Sequence, residues 1–187
     1  MSAVFLDRDG VIVEEVDLLF RAEQLRLLPG AAAAIRRLNE LKIKAIVVTN
    51  QAVVARGMVT EAGMDVIHER LRQMLAAENA ILDQIYYCPY HENANLIEYR
   101  RFSHDRKPET GMLEKGAQEF GLELSRCFMV GDTTSDILAG RNAGCRTILV
   151  RTGHGGVDGK HPCVPDAIAK DLSAAVDIIV DQWGPVA

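Results

Sequence analysis

Short apolar segments alternate along this chain with longer segments in which apolar residues recur at helical spacing. The apolar segments are AVFL (3–6), IKAIVVT (43–49), DQIYYC (83–88), CFMVG (127–131), RTILV (146–150) and VDIIV (176–180). Short, β-branched runs that are apolar on both faces are typical of buried parallel strands. The pattern therefore predicts six strands.

Helical patterns occupy much of the sequence between these strands. They cover residues 29–42, 60–79, 110–121 and 135–144, and the last two end in glycine, as helix C-termini often do. Strand and helix in alternation predict a doubly wound, Rossmann-like α/β fold with a parallel sheet, here as one domain over residues 1–187. Residues 151–166 hold four glycines and two prolines and are predicted to form a surface loop before the last strand.

Composition narrows the classes of partner. The 187 residues are 48% hydrophobic and 25% charged, with a net charge of −5 and no long basic run, which argues against binding to duplex nucleic acid or to an anionic membrane. No apolar run of membrane-spanning length and no leader pattern is seen, and the four cysteines are scattered, so we expect a cytoplasmic protein with reduced thiols. The sequence does not determine the oligomeric state.

Two carboxylates, Asp7 and Asp9, follow the first predicted strand. Residues two apart on a strand project to the same side, so both can reach one crevice at the carboxyl end of the sheet, where doubly wound folds bind ligands. Like charges held together there indicate a divalent metal, or an acid and a base with different pKa values. The alternative is a strand-end turn with solvated carboxylates.

Three further strand ends or loops carry polar groups. Thr49 and Asn50 end the second strand and offer neutral hydrogen bonds to an anion, or else form an ordinary turn. Arg106 and Lys107 precede Pro108 and would neutralise a phosphoryl group, unless they are solvated. Asp132 and Asp136 follow the fourth strand, where Asp136 also fits a capping box with Thr133. Together these groups favour an oxygen-rich Mg²⁺ site with one nearby cation.

The segments DRDG, TNQ, RKP and GDTTSD, in this order over residues 7–136, resemble the motifs of the haloacid dehalogenase (HAD) superfamily of phosphatases. The resemblance implies that Asp7 is the nucleophile that forms an aspartyl-phosphate and that Asp9 is the general acid and base. It implies that Asp7, Asp132 and the backbone carbonyl of Asp9 hold Mg²⁺. Thr49 and Asn50 would bind the phosphoryl oxygens, Lys107 would offset their charge, and Asp136 would orient metal-bound water or Lys107.

Within the superfamily, DRDGVI, TNQAVVARG, CPYH and RKPETGML resemble the cap-less branch of the histidinol-phosphate and heptose-bisphosphate phosphatases. Only 39 residues separate Asp9 from Thr49, which leaves no room for a large cap domain. Arg56 and Arg106 resemble substrate-contacting positions of the heptose enzymes, although an exposed loop arginine is the alternative for Arg56.

The chain departs from this branch in residues 88–107. Relatives carry two pairs of ligands for a structural Zn²⁺ there, whereas this chain has Cys88, Tyr90, Ser103 and Asp105 at the corresponding positions. His91 and His104 could rebuild a site with Cys88 and Asp105, but we expect a loop without zinc and with exposed histidines.

The resulting prediction is a Mg²⁺-dependent phosphoric monoester hydrolase, with heptose 1,7-bisphosphate as the first substrate candidate. Histidinol phosphate or another small phosphomonoester is the alternative. A phosphotransferase would use the same motifs, and a non-catalytic binding module would be expected to have lost Asp7, Asp9 or Lys107.

Overall fold

The computed structural model describes residues 3–183 and contains a six-stranded, fully parallel sheet. The strands are β1 (Ala3–Leu6), β2 (Lys44–Asn50), β3 (Gln84–Cys88), β4 (Phe128–Gly131), β5 (Arg146–Val150) and β6 (Ala167–Ala169). Their order is β3-β2-β1-β4-β5-β6. The chain therefore proceeds outward in one direction from β1 and then in the other from β4, which confirms the doubly wound α/β fold.

Helices cover both faces of this sheet. They are α1 (Ala31–Glu40), α2 (Ala52–Ala55), α3 (Glu61–Ala77), α4 (Gly111–Phe120), α5 (Thr134–Asn142) and α6 (Leu172–Trp183). Local sequence sets their ends: the Thr60 side chain accepts a hydrogen bond from the Gly63 N–H at the start of α3, and Gly121 ends α4 in the left-handed conformation.

Alternate residues of the central strands enter two separate cores. Val4 and Leu6 of β1 pack into the larger core, which also receives the apolar faces of α1, α3 and α6. Ala3 and Phe5 enter the smaller core with residues of α4 and α5. Because both faces of the strands are buried, the sequence reads as continuous apolar runs rather than as an alternating pattern.

The predicted strand at residues 176–180 is wrong, because this segment lies within α6. The buried residues of α6 follow the i, i+3, i+4, i+7 spacing of a helix face: Leu172, Ala175, Val176 and Ile179. Helix α6 packs against α1. The sixth strand is instead Ala167–Ala169, which directly follows the predicted loop at 151–166.

The connection from β1 to β2 contains one short 3-10 turn at Ala22–Gln24 and α1, so no cap domain is inserted there. Within residues 3–183, none of the helices is both long and apolar enough to cross a membrane.

Candidate active site

The strand order places three carboxyl ends side by side at one edge of the sheet. Asp7 follows β1 and its N–H donates to the Val130 carbonyl of β4 at 3.0 Å, while Asp132 follows β4 itself. Thr49 and Asn50 are the last residues of β2. These residues line a cavity of about 200 Å³ together with Asp9, Arg56, Arg106, Lys107 and Asp136.

Lys107 enters this cavity from the loop before α4 and is almost completely buried. Its Nζ lies 3.0 Å from Asp7 Oδ1 and 2.6 Å from Asp136 Oδ1, and it donates to the Val48 carbonyl at 2.7 Å. Burial alone would lower the pKa of Lys107, but the charges of Asp136 and Asp7 outweigh it and raise the pKa above its usual value. The ammonium group is therefore a fixed positive charge beside Asp7.

Asp136 has both of the roles that the sequence left open. Its Oδ2 accepts hydrogen bonds from the Thr133 N–H at 3.0 Å and the Thr133 hydroxyl at 2.7 Å, which completes the capping box of α5. Its Oδ1 forms the ion pair with Lys107. The cap orients the carboxylate so that one oxygen faces the helix and the other faces the lysine.

Asp7, Asp132 and Asp136 form the only cluster of three metal-ligating side chains in residues 3–183, with one oxygen from each within 4.8 Å of the others. Asp132 Oδ1 is buried and has no hydrogen-bond partner. Burial raises the pKa of Asp132 to about 8, with further increases from Asp7 and Asp136. Burial also raises the pKa of Asp7 to about 7, against the opposing effect of Lys107. Unsatisfied carboxylate oxygens with raised pKa values fit a divalent cation as their missing partner.

Two glycines with positive φ hold Asp132 closely. A Cβ atom on Gly10 (φ +73°) would lie 2.3 Å from Asp132 Oδ2, and a Cβ on Gly153 (φ +57°) would lie 2.2 Å from the same atom. The His154 N–H donates to this oxygen at 2.7 Å, and the Thr152 hydroxyl donates to the Gly10 carbonyl at 2.5 Å. The loop after β5 is thus part of the site, and only residues without a side chain fit at these two positions.

The Asp9 side chain lines the same cavity but lies outside the three-carboxylate cluster. It pairs with Arg8, whose Nη2 lies 2.8 Å from Asp9 Oδ2, and it accepts a hydrogen bond from Gln51 Nε2 at 2.8 Å. Arg8 is completely buried. The two carboxylates of the DxD motif therefore have different partners, Lys107 for Asp7 and Arg8 for Asp9.

The amide of Asn50 is turned towards the backbone of Lys107. Its Nδ2 donates to the Lys107 carbonyl and its Oδ1 accepts from the Lys107 N–H, both at 3.0 Å. The Thr49 hydroxyl is buried and accepts a hydrogen bond from Gln51 Nε2 at 2.9 Å. Thr49 can still donate its own hydroxyl proton, whereas Asn50 mainly fixes the position of Lys107.

The cavity lining also includes further basic and acidic residues. Arg56, Arg106 and Lys160 contribute the positive charges, and Arg106 donates to the Tyr90 carbonyl at 3.1 Å. Glu15 and Asp17, from the loop after β1, contribute the negative charges.

Comparisons with known proteins agree with this geometry. A family model described as HAD-hydrolase-like matches residues 104–175. The D-glycero-D-manno-heptose-1,7-bisphosphate 7-phosphatase of Thermosynechococcus vestitus is 44% identical over 191 residues, which cover 98% of this chain and 97% of that protein. The chain belongs to the heptose-1,7-bisphosphate 7-phosphatase family. This membership confirms the predicted superfamily and the class of phosphoric monoester hydrolases.

Other members of the family are similar over most of their length. The D-glycero-beta-D-manno-heptose-1,7-bisphosphate 7-phosphatase of Escherichia coli K12 is 36% identical over 154 residues, covering 82% of this chain and 81% of that protein. The solved structure of the D,D-heptose 1,7-bisphosphate phosphatase from B. bronchiseptica, complexed with magnesium and phosphate, has a TM-score of 0.86 at 30% identity. That alignment covers 97% of this chain and 99% of the other.

The loop that differs from the zinc-binding pattern expected for the family is held by aromatic and arginine side chains. The Arg101 guanidinium lies 3.8 Å from the centre of the Tyr90 ring, and the Tyr90 and Tyr99 ring centroids are 5.9 Å apart. The buried Cys88 Sγ donates to the Tyr90 carbonyl at 3.9 Å, His91 Nδ1 accepts the Asn93 N–H at 3.0 Å, and His104 Nε2 lies 3.0 Å from Glu114. Cys88, His91 and His104 thus have separate partners, and a loop without zinc stays a prediction.

Sequence reasoning missed several residues of the site. His154 and Lys160 lie in the loop at 151–166, which follows the carboxyl end of β5 and so obeys the same rule that identified the other strand ends. The burial of Arg8 had no comparable signal, since a charged residue after a strand usually faces water.

Proposed function

We propose that this protein is a Mg²⁺-dependent phosphatase that removes the 7-phosphate of D-glycero-D-manno-heptose 1,7-bisphosphate. The observation that carries the proposal is the buried cluster in which Lys107 joins Asp7 to Asp136, beside the unsatisfied oxygen of Asp132. The cluster combines a nucleophile, a fixed cation and a set of hard oxygen ligands, which phosphoryl transfer requires.

Asp7 acts as the nucleophile. Lys107 Nζ and the Arg8 backbone N–H both donate to its Oδ1, at 3.0 Å and 2.7 Å, so the plane of the carboxylate is fixed before substrate binds. Asp7 attacks phosphorus, and the bond between phosphorus and the sugar oxygen breaks. Fixing the attacking group lowers the entropic part of the barrier, and Lys107 compensates the charge of the phosphoryl oxygens.

Asp9 transfers the protons of both steps. In the first step its carboxyl proton passes to the departing sugar oxygen, which leaves as an alcohol. In the second step the Asp9 carboxylate removes a proton from water as the water oxygen attacks phosphorus and the bond to Asp7 breaks. Phosphate is released, and Asp9 again holds the proton for the next cycle.

Asp7 and Asp132 would hold Mg²⁺, together with the Asp9 backbone carbonyl that the family resemblance implies, while Asp136, whose two oxygens contact Thr133 and Lys107, would support the site through Lys107. When bound, the ion would neutralise the clustered carboxylates and polarise the phosphoryl oxygens. Thr49 would donate its hydroxyl proton to a phosphoryl oxygen, and Asn50 would keep Lys107 in place.

The basic residues of the cavity support a bisphosphate as substrate. Arg56, Arg106 and Lys160 line the same cavity as Asp7 and would receive the second phosphate. Glu15 and Asp17, on the other hand, would suit the amine of histidinol phosphate, which is therefore the second candidate.

The proposal is tested by phosphate release from a substrate panel, with Mg²⁺ and with EDTA. The panel pairs heptose 1,7-bisphosphate with heptose 7-phosphate, which lacks only the second phosphate, and adds histidinol phosphate. We expect Mg²⁺-dependent turnover with a kcat/KM at least about 100-fold higher for the bisphosphate than for histidinol phosphate, equivalent to roughly 2.7 kcal/mol. Arg56→Gln should raise KM for the bisphosphate and leave heptose 7-phosphate unchanged. A flat profile, or a preference for histidinol phosphate, would rule the substrate out.

A further inference from the structure

Arg8 is the largest completely buried side chain in residues 3–183, and the mechanism above does not use its guanidinium group. A guanidinium group removed from water requires close partners for its N–H groups, because burial of an unpaired charge is very costly. The direction of these N–H groups therefore shows what the residue holds in place.

One edge of the guanidinium group faces the Asp9 carboxylate. Arg8 Nε donates to Asp9 Oδ1 at 3.0 Å, and Arg8 Nη2 donates to Asp9 Oδ2 at 2.8 Å. Two parallel hydrogen bonds of this kind fix both the distance and the plane of a carboxylate.

Gln51 closes a ring with these two residues. Its Nε2 donates to Asp9 Oδ2 and its Oε1 accepts from Arg8 Nη2, both at 2.8 Å. Gln51 is itself buried. Each of the three side chains thus contacts the other two, and movement of Asp9 would disturb all of them.

The other edge of Arg8 is anchored to α3. Arg8 Nη1 lies 3.3 Å from His68 Nε2 and 3.5 Å from the Met64 sulfur. Burial, together with the neighbouring Arg8 charge, lowers the pKa of His68 to about 3, so its ring is neutral near pH 7. Because arginine only donates, His68 Nε2 must be the accepting nitrogen. The core helix α3 therefore fixes Arg8, and Arg8 fixes Asp9.

The hydrogen bonds on Asp9 leave one position open. A carboxylate has about four acceptor sites, and Asp9 receives one donor on Oδ1 and two on Oδ2. The open acceptor site is therefore on Oδ1, the oxygen with one donor. The Asp9 side chain lines the cavity. Rotation of the carboxylate would remove this site from its place.

We propose that Arg8, with Gln51, is a positioning residue that orients Asp9 Oδ1 for proton transfer to the departing alcohol. The inference rests on the proposed function, since it assumes that Asp9 protonates a sugar oxygen. It does not depend on which sugar phosphate is the substrate.

The test separates proton transfer from attack on phosphorus. p-Nitrophenolate leaves without a proton, whereas a sugar alkoxide needs one. Single-turnover cleavage of the sugar phosphate that the wild-type enzyme hydrolyses fastest is compared with the pre-steady-state burst of p-nitrophenolate. The variants are Arg8→Lys, which keeps the charge but loses the planar fork, and Gln51→Met, which removes one donor to Asp9. Met64→Leu is the control, because it alters a contact of Arg8 that does not involve Asp9.

Arg8→Lys should slow sugar-phosphate cleavage at least about tenfold, and Gln51→Met should slow it by a smaller factor. In both variants, KM and the p-nitrophenolate burst should change less than about threefold. Met64→Leu should leave both rates unchanged. Equal losses with both substrates, or full activity of Arg8→Lys, would overturn the inference. If Arg8→Lys does not fold, as judged by circular dichroism, Gln51→Met decides. A wild-type enzyme that cleaves p-nitrophenyl phosphate but no sugar phosphate would instead refute the proposed function and this inference with it.

Discussion

At the residue scale, the site is a set of buried charges that do not balance. Lys107 supplies one positive charge among Asp7, Asp132 and Asp136, and the pKa values of Asp7 and Asp132 are raised by burial to about 7 and about 8. Repulsion among these carboxylates is the cost of a site prepared for a cation. The adjacent Arg8–Asp9 pair is balanced and rigid by comparison.

His68 should make the stability of the protein depend on pH. Its pKa is lowered from 6.5 to about 3 by burial and by Arg8, so below pH 6.5 the unfolded chain binds a proton that the folded protein does not. The free energy of unfolding should therefore decrease as the pH falls, and this contribution should be about 2 kcal/mol lower at pH 5 than at pH 8.

The measurement is urea unfolding of the wild type and of His68→Gln at several pH values. Glutamine keeps an acceptor for Arg8 but does not titrate, so the other groups cancel in the difference. The wild-type curve should fall more steeply towards acid than the variant curve. Parallel curves would show that His68 is not held neutral.

The sequence predicted the charged centre of the site better than its supports. Asp7 and Asp132 lie where strand ends place them, since a carboxyl end is recognisable from a short apolar run, and Lys107 joins them from the loop before α4. The Asn50 side chain and Arg8 depend on contacts across more than forty residues of sequence, with Lys107 and Gln51, which no local pattern encodes.

At the element scale, the loop after β5 holds the side chain of Asp132, which is a candidate metal ligand. Its glycines were read from the sequence as a surface loop, yet Gly153 and the His154 N–H contact the Asp132 carboxylate. The misassigned strand at 176–180 shows the complementary difficulty. A short apolar run fits a buried strand or a buried helix segment equally well, and packing against α1 decides.

Gly153→Ala should reduce activity by at least about tenfold, because its Cβ would press on Asp132 Oδ2, and small displacements in an active site cost large rate factors. The matched control is Gly159→Ala in the same loop. Gly159 has a similar φ, +64°, but a Cβ there meets no atom within 4 Å.

Both variants introduce similar backbone strain, but only Gly153→Ala adds an overlap with Asp132, so the Tm of Gly153→Ala should fall further than that of Gly159→Ala. Only Gly153→Ala should lose turnover and Mg²⁺ affinity, measured by steady-state kinetics over a Mg²⁺ titration. Equal activity of the two variants would mean that Gly153 does not constrain Asp132.

At the scale of the whole molecule, the doubly wound topology brings distant parts of the sequence to one edge of the sheet. β1 lies between β2 and β4, so Asp7 sits between Thr49 and Asp132 although more than forty residues separate it from each along the chain. The sequence predicted the doubly wound fold, because alternating strands and helices permit few topologies, but the strand order comes from the structure. The sequence could not predict which basic and acidic loop residues line the cavity, since that depends on where the loops fold back.

The central claim is that Asp7 carries the phosphoryl group during turnover. The most direct measurement mixes the enzyme with Mg²⁺ and heptose 1,7-bisphosphate, quenches with acid within the first turnover, and locates any phosphoryl group by peptide mass spectrometry. Asp7→Asn is the control, and it should remain folded while losing at least about 1,000-fold in kcat. We expect a hydroxylamine-labile phosphoryl group on Asp7 of the wild type. A phosphoryl group on another residue, or an Asp7→Asn variant that retains most of its kcat, would contradict it.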